Sequence, residues 1–509
     1  AVELAEYTIN NQKDYILEEL YKRKPDVLCF SCYIWNIDYV TDIAREYKKL
    51  CPSVPIWVGG PEVSYEVEAF LRENPYIDGV MIGEGEDTFR ELCGYYAHKR
   101  KLSDIAGIAF RKNSTGNSTS VNNIGGNKAG EIVFTSPRPI KNMSEIPFCY
   151  DTLDDFSNRI IYYESSRGCP FSCSYCLSSV DKTLRFRDTR IVKKELKFFI
   201  DQKVPQIKFV DRTFNCNHAH AMELWRFIKA NDNGVTNFHF EISADLLNQE
   251  ELELISDMRP GLIQLEIGVQ STNEVTIKEI HRTMKLERLK EVVRLIQSGN
   301  NIHEHLDLIA GLPYEDYDSF GRSFDEIYEL KPNQLQLGFL KVLKGSYMFE
   351  HAAEYGIVYH DKPPYEVMST KWLSFDDVIK IKRVEEMLEV YYNSGQFEIT
   401  MKLMECIFDS AFEFFQELGD FYEANGYFGM SHSRIRRCEI LLEFLALYLH
   451  GCDSDDMASV GLSGNAGDRD NTDFDENAQI YKMIQESLIF DLYYRENCKS
   501  RPVWATDIG

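Results

Sequence analysis

Three cysteines within eight residues constrain this 509-residue chain more than any other feature. The run Arg167-Gly-Cys-Pro-Phe-Ser-Cys-Ser-Tyr-Cys176 sets Cys169, Cys173 and Cys176 in a C-x3-C-x2-C spacing. A loop this short holds three thiolates together, and soft sulfur ligands select iron–sulfur clusters or zinc. A structural zinc site takes four ligands, usually as two paired motifs. No neighbouring Cys/His pair completes such a tetrahedron. Three cysteines on a four-iron cluster leave one iron open, and an open metal position is where substrate chemistry takes place.

Composition sets the bounds. The length accommodates about three domains, and 44% hydrophobic residues support sizeable cores. No apolar run reaches the roughly 18 residues of a membrane span, and no signal peptide is visible. The chain begins with Ala1, so a natural N-terminus is expected upstream. Thirteen cysteines without a regular framework point to a reducing cytoplasm. A net charge of −25 argues against a nucleic-acid partner held by a basic face.

Residues 1–140 alternate short apolar runs with helical periodicity, which predicts a doubly wound α/β domain. Strands are expected at Val2–Ile9, Val27–Ser31, Ile56–Val58 and Gly79–Ile82, with helices at Tyr15–Arg23, Tyr39–Leu50, Glu66–Glu73 and Glu86–His98. Ligands of such sheets sit at the carboxyl ends of the strands. Those ends carry Ser31, Gly59, Gly60, Gly83, Glu84 and Gly85. Ile105–Phe110 and Glu131–Thr135 read as a hairpin around an Asn/Ser/Gly-rich loop, and Pro137, Pro139 and Pro147 mark an extended linker, placed at 141–158.

From Arg159 to about residue 350 the β/α alternation restarts as six units. Strands are expected at Ile160–Glu164, Gln206–Val210, Asn237–Ile242, Leu262–Ile267, Glu304–Ile309 and Gln334–Leu340. Their ends carry Asp211, the Glu241/Ser243 pair, Gln270 and Gly311, followed by His281-Arg282 in the fourth crossover. Cys216 is a nearby spare thiol, and His303 and His305 alternate along the fifth strand. Residues 351–509 are helical in pattern, with helices expected at Phe375–Ser394, Thr400–Leu418, His432–His450 and Asn477–Arg495. An acidic, flexible insert is expected at 453–476, and the tail holds Cys498, a conceivable extra ligand or redox thiol.

The cysteine run resembles the cluster loop of the radical S-adenosylmethionine (radical SAM) superfamily, with Tyr175 as the aromatic before the third cysteine. Val210-Asp-Arg-Thr-Phe-Asn215, Glu241-Ile-Ser-Ala-Asp245, Glu266-Ile-Gly-Val-Gln-Ser271 and Asp307-Leu-Ile-Ala-Gly-Leu-Pro-Tyr-Glu315 follow that family's order. The resemblance implies a partial (β/α)6 barrel and a 4Fe–4S cluster on Cys169, Cys173 and Cys176. It further implies SAM contacts from Tyr175, Asp211, Glu241, Ser243, Gln270, Arg282 and Gly311.

Val58-Gly-Gly-Pro-Glu-Val63 with Gly83-Glu-Gly-Glu-Asp-Thr88 resembles the flavodoxin-like cobalamin-binding domain that precedes many such barrels. By that resemblance Ser31, Gly59, Gly60, Gly83, Glu84 and Gly85 line the corrin, and the domain's first strand and helix lie before Ala1. The D-x-H-x-x-G loop that many cobalamin domains carry is absent.

The implied activity is reductive cleavage of SAM to a 5′-deoxyadenosyl radical, with methyl transfer from cobalamin to an unactivated carbon of a small molecule or peptide. A flavodoxin- or ferredoxin-like electron donor is the implied partner. A cobalamin-independent rearrangement, oxidation or coupling is the alternative, and a non-enzymatic corrinoid or cluster sensor is a third. Cys29, Cys32 and Cys93 form no second cluster set and the C-terminal region is acidic, which argues against RNA modification.

Overall fold

The computed structural model describes residues 1–112, 130–150, 152–153, 156, 159–180, 182–450, 471–495 and 501–505. The Asn/Ser/Gly-rich loop, most of the acidic insert and Cys498 lie outside the described residues. Two compact units account for the chain: 1–157 with 164–196 and 341–367, and 158–163 with 197–340 and 368–509.

The first unit begins with α1 (Lys13–Arg23), β1 (Leu28–Ser31), α2 (Ile37–Leu50), β2 (Ile56–Gly59), α3 (Val67–Glu73), β3 (Gly79–Met81) and α4 (Gly85–Tyr96). β1, β2 and β3 pair parallel in chain order. The hairpin of β4 (Ile108–Arg111) and β5 (Ile132–Phe134) then adds antiparallel onto β3. Helix α2 shows why the alternation folds this way. Ile37, Val40, Ile43, Ala44 and Tyr47 recur at three- and four-residue spacing and are all buried. They join Ile56, Val58 and Val80 of the sheet in one core. The expected strand at Val2–Ile9 is not formed, and that segment runs as coil into α1. Its apolar residues Val2, Leu4 and Ile9 are exposed, so no buried face rewards pairing it.

The second unit is built on a six-stranded parallel sheet in the order β13-β12-β11-β10-β9-β6. The strands are β6 (Ile161–Tyr163), β9 (Gln206–Phe209), β10 (Asn237–Ile242), β11 (Ile263–Gln270), β12 (His303–Ala310) and β13 (Gln334–Phe339). The short strands β7 (Ser166–Arg167) and β8 (Arg185–Phe186) belong to the first unit. The crossovers contain α5 (Thr189–Asp201), α6 (His218–Ala230), α7 (Gln249–Ser256), α8 (Glu274–Glu279), α9 (Leu286–Gly299) and α10 (Tyr317–Tyr328). The sheet runs in chain order from β6 to β13 and those two edges do not pair, so it is an open, partial barrel.

The two faces of this sheet differ. On β11, Ile263, Leu265, Ile267 and Val269 are buried while Gln264, Glu266, Gly268 and Gln270 are only partly covered. The apolar face packs on helices: Phe240 meets Trp225 of α6 and Phe209 of β9. The other face carries Lys208, His239, Glu241, Glu266, His305 and Asp307. The interior of this half-barrel is therefore lined with ionisable groups rather than filled with apolar side chains.

After α11 (Tyr347–Glu350) the chain turns helical: α12 (Phe375–Leu388), α13 (Glu398–Met404), α14 (Ala411–Ala424), α15 (Arg434–His450) and α16 (Asn471–Arg495). One helix was expected over Thr400–Leu418, but two form. Ser410 Oγ and Phe412 N–H donate to the carboxylate of Asp325 at 2.7 and 2.8 Å, and Ser410 also caps α14. That acceptor comes from α10 and breaks the periodic run. The helix expected from Phe375 ends its α-helical course at Leu388 and closes with a wider turn over Glu389–Asn393. α16 starts at Asn471, inside the stretch expected to be an irregular insert. No helix among the described residues is long and apolar enough to cross a membrane.

Candidate functional site

The cysteine loop is framed by a two-stranded ladder that the sequence did not reveal. Ser166 pairs with Phe186 and Arg167 with Arg185, antiparallel, so the loop leaves and returns at one point. Gly168 is required there. Its φ is +91°, and a Cβ would lie 2.5 Å from the carbonyl oxygen of Thr183. Cys169 and Cys173 are buried and Cys176 is partly exposed, and all three carry thiols. Cys176 N–H donates to Cys173 O at 3.1 Å, and Ser179 Oγ donates to Cys176 O at 2.6 Å. Met348 N–H donates to Ser174 O at 2.9 Å, which ties the 341–367 segment to the loop. Tyr175, beside Cys176, is partly buried.

Among the described residues no three His, Cys, Asp or Glu side chains converge as they would around one metal ion. A cluster that gives each thiolate its own iron does not ask for that convergence. The donor set fits such a cluster: three soft ligands on one short, pinned loop with no fourth protein ligand in the motif. Cys29 and Cys32 are a different case. Burial pushes both thiols up to about 12, so they stay protonated.

The carboxyl ends of β1, β2 and β3 open into a cavity of about 2580 Å³. Ser31, Gly59, Gly60, Gly83, Glu84 and Gly85 all line it, so the six N-terminal candidates are brought together. Ordinary small-molecule pockets reach only about 1,000 Å³. The glycines play two different parts. Gly60 has φ +116°, and a Cβ on it would sit 2.4 Å from Cys32 O, so the fold itself demands glycine there. A Cβ on Gly83 or Gly85 would meet nothing within 4 Å. Those two positions leave room for a bulky ligand at the head of α4, although Gly83, at φ +74°, is also held to glycine by its backbone. Tyr33 and Trp35 also line the cavity, exposed and stacked with centroids 4.5 Å apart. Sequence reading passed over them, although two aromatics just after a strand end are a readable signal.

Glu84 does not turn to the cavity alone. Its Oε1 accepts from Arg185 Nη2 at 2.6 Å and lies 3.1 Å from Arg167 Nη1. Burial raises its pKa, but the two guanidiniums outweigh that and hold it below the usual range. Arg167, a residue not singled out from the sequence, also forks onto Glu164 at 2.9 and 2.7 Å and reaches Glu86 at 2.9 Å. Burial disfavours its charge, yet Glu164 and Glu86 drive its pKa further up.

In the second unit the strand ends place the remaining candidates. Asp211 is fully buried just past β9. Asn215 holds Ser243 through reciprocal bonds, donating to its carbonyl at 2.8 Å and accepting from its N–H at 3.0 Å. The Ser243 hydroxyl donates to Asp245 at 2.7 Å, so it shapes the strand-end turn. Gln270 has φ +77° at a bulge in the β11–β12 register, and its amide folds back over Gly268. Arg282 donates to the carbonyl of Gly268. Gly311 has φ +87° at the end of β12. Cys216 is partly buried in a short turn after Thr213.

The polar face is electrostatically organised. Burial and the neighbouring Glu266 push Glu241 up to about 7. Glu266 is driven the other way, to about 2: burial opposes its charge, but His239 and Lys208 overcome it. Lys208 Nζ and His239 Nε2 stand 2.8 and 2.9 Å from its carboxylate. His305 Nε2 lies 3.1 Å from Asp307, whereas His303 is exposed.

Three family models match: B12 binding domain over 1–93, Radical SAM superfamily over 163–327, and a protein family of unknown function (DUF4080) over 353–508. The chain is 28% identical over 330 residues to the cobalamin-dependent radical SAM methyltransferase TokK of Streptomyces tokunonensis, covering 60% of this chain and 45% of TokK. It is 23% identical over 371 residues to an uncharacterized methyltransferase of Pyrococcus horikoshii, covering 71% of this chain and 75% of that protein. The chain thus spans less than half the length of TokK.

Among solved structures, the cobalamin-dependent S-adenosylmethionine radical enzyme OxsB, with aqua-cobalamin and S-adenosylmethionine bound, aligns at TM-score 0.59 and 16% identity. That alignment covers 96% of this chain and 74% of OxsB. The radical S-adenosylmethionine methyltransferase TsrM from Kitasatospora setae aligns at TM-score 0.55 and 16% identity, covering 70% and 74%. At these identities the likeness is one of fold. Residues 1–93 thus match a B12 binding domain and residues 163–327 match the radical SAM superfamily, in the order that the sequence resemblance implied.

Proposed function

We propose that this protein is a cobalamin-dependent radical SAM methyltransferase that acts on an unactivated carbon of a small molecule. One observation carries the reading. A pinned loop of three cysteines and a cavity of about 2580 Å³ at glycine-rich strand ends lie in the same compact unit. The fold of OxsB and TsrM, whose structures hold cobalamin, supports it. When bound, the cluster and the corrin supply one-electron cleavage of SAM and methyl transfer to the substrate carbon.

The residues divide the work. Cys169, Cys173 and Cys176 would hold the cluster. In the second unit Asp211, Glu241, Gln270, Arg282 and the backbone at Gly311 would orient SAM at the strand ends, and Tyr175 is the first unit's candidate for a SAM contact. Ser243 acts through the turn it shapes. Glu241, with a pKa of about 7, both donates and accepts hydrogen bonds near neutral pH. Ser31, Gly59, Gly60, Gly83 and Gly85 admit the corrin by close backbone approach. A flavodoxin- or ferredoxin-like protein supplies the electron in a reducing cytoplasm.

Anaerobic purification followed by metal analysis tests the reading. Iron together with cobalt after cobalamin supplementation, and 5′-deoxyadenosine from SAM with reductant, is the expected result. Iron and deoxyadenosine with no corrin uptake replaces methyl transfer with rearrangement, oxidation or coupling. Corrin uptake without SAM cleavage makes the protein a sensor.

A further inference from the structure

The strand pair that frames the cysteine loop is ion-paired to the segment that lines the cavity. Arg167 precedes Gly168 and Cys169 directly, and three carboxylates share its guanidinium. Nε and Nη2 fork onto Glu164, Nη2 also reaches Glu86 Oε1 at 2.9 Å, and Nη1 lies 3.1 Å from Glu84 Oε1. Arg185, opposite Arg167 in the ladder, donates to Glu84 at 2.6 Å and to Lys141 O at 3.0 Å. Forked guanidinium–carboxylate pairs fix geometry as well as charge.

The other side of the 83–86 segment faces open space. Side chains at Gly83 and Gly85 would meet nothing within 4 Å. Gly83 N–H donates to Ser64 Oγ at 3.1 Å, and that hydroxyl donates to Gly60 O at 2.8 Å. Glu86 Oε2 is buried and accepts no hydrogen bond among the described residues. Glu86 itself is among the residues that line the cavity.

We propose that residues 83–86 couple the two cofactor sites. A ligand in the cavity packs against Gly83, Gly85 and Glu86, while Glu84 and Glu86 Oε1 hold Arg167 and so the cysteine loop. Corrin occupancy and cluster-loop order then favour each other by the same factor in both directions. This rests on the functional reading above and adds a positioning role for Arg167, which that reading leaves out although it reaches the edge of the cavity. Lysine keeps the charge at that position but loses the fork.

The test is a titration of hydroxocobalamin into the cluster-free and the cluster-loaded chain under anaerobic conditions, followed by the corrin's visible bands. The wild-type chain is expected to bind at least about fivefold more tightly when the cluster is present. Arg167→Gln is expected to bring that ratio to about 1 while the cluster-free affinity stays within about twofold, and Arg167→Lys to fall between. Addition of cobalamin should also shift the electron paramagnetic resonance spectrum of the reduced cluster in the wild type and not in Arg167→Gln. If Arg167→Gln fails to fold by circular dichroism, Glu86→Ala must lower the ratio in its place. A wild-type ratio near 1, or a ratio untouched by these substitutions, overturns the coupling alone. A wild-type chain that takes up no corrin or no iron overturns the functional reading and the coupling with it.

Discussion

The two sheets of this protein prepare the carboxyl ends of their parallel strands in opposite ways. The N-terminal sheet ends in glycines, so backbone is bared at its strand ends, and two stacked aromatics line the same cavity. The six-stranded sheet presents Lys208, His239, Glu241, Glu266, His305 and Asp307, a wall of ionisable side chains. A backbone wall suits a large preformed ligand whose periphery carries many amides. A charged wall suits small polar groups whose protonation and orientation must be set. The difference teaches that one βα architecture yields two kinds of site, according to whether glycine or a titratable residue stands at the strand end.

The comparison breaks most sharply at the cysteine loop, which belongs to neither wall. Cys173→Ala is expected to lose bound iron and all deoxyadenosine formation, to background, while circular dichroism keeps the wild-type spectrum. Retained iron with retained cleavage would remove the loop from the chemistry.

The next effect concerns the hidden side of the charged sheet. Glu304 lies between His303 and His305 but points to the apolar face, fully buried, with neither carboxylate oxygen hydrogen-bonded among the described residues. Burial pushes it up to about 8 from 4.5. The folded state therefore holds a proton that the unfolded chain has released between about pH 4.5 and 8. Stability is highest below that window, falls by up to about 1.4 kcal/mol per pH unit across it, and levels off above it. Glu304→Gln should remove this slope in urea unfolding at pH 5.5 and 8. Parallel pH profiles for the two proteins would contradict the burial argument.

Two glycines of the same cavity then separate what the fold needs from what the ligand needs. Gly60→Ala sets a Cβ against Cys32 O at φ +116° and is expected to cost about 2–4 kcal/mol of stability. Gly85→Phe fills open space at the first turn of α4. Its unfolding free energy should stay within about 1 kcal/mol. Its hydroxocobalamin affinity should fall about tenfold, the smallest of these effects. Equal loss of stability in both variants would erase the distinction.

Much of this was legible because burial follows periodicity. Asn237–Ile242 was readable as a strand to the residue, since His239 and Glu241 alternate with Phe238 and Phe240. The six N-terminal candidates meet because a parallel sheet in chain order stacks its strand ends. What escaped depended on distant partners. The break in Thr400–Leu418 is made by Asp325, some 85 residues earlier. The role of Arg167 needs Glu84 and Glu86, about 80 residues away. The burial of Glu304 is in the alternation His303-Glu-His-Leu-Asp-Leu, but its polar neighbours mask the apolar face that it shares with Leu306 and Leu308.

The most direct measurement of the central claim is 5′-deoxyadenosine formed from SAM by the iron-loaded, anaerobic protein with a strong reductant. The account predicts deoxyadenosine from the wild-type chain and none from Cys173→Ala. Iron-loaded wild-type protein that leaves SAM intact would contradict it.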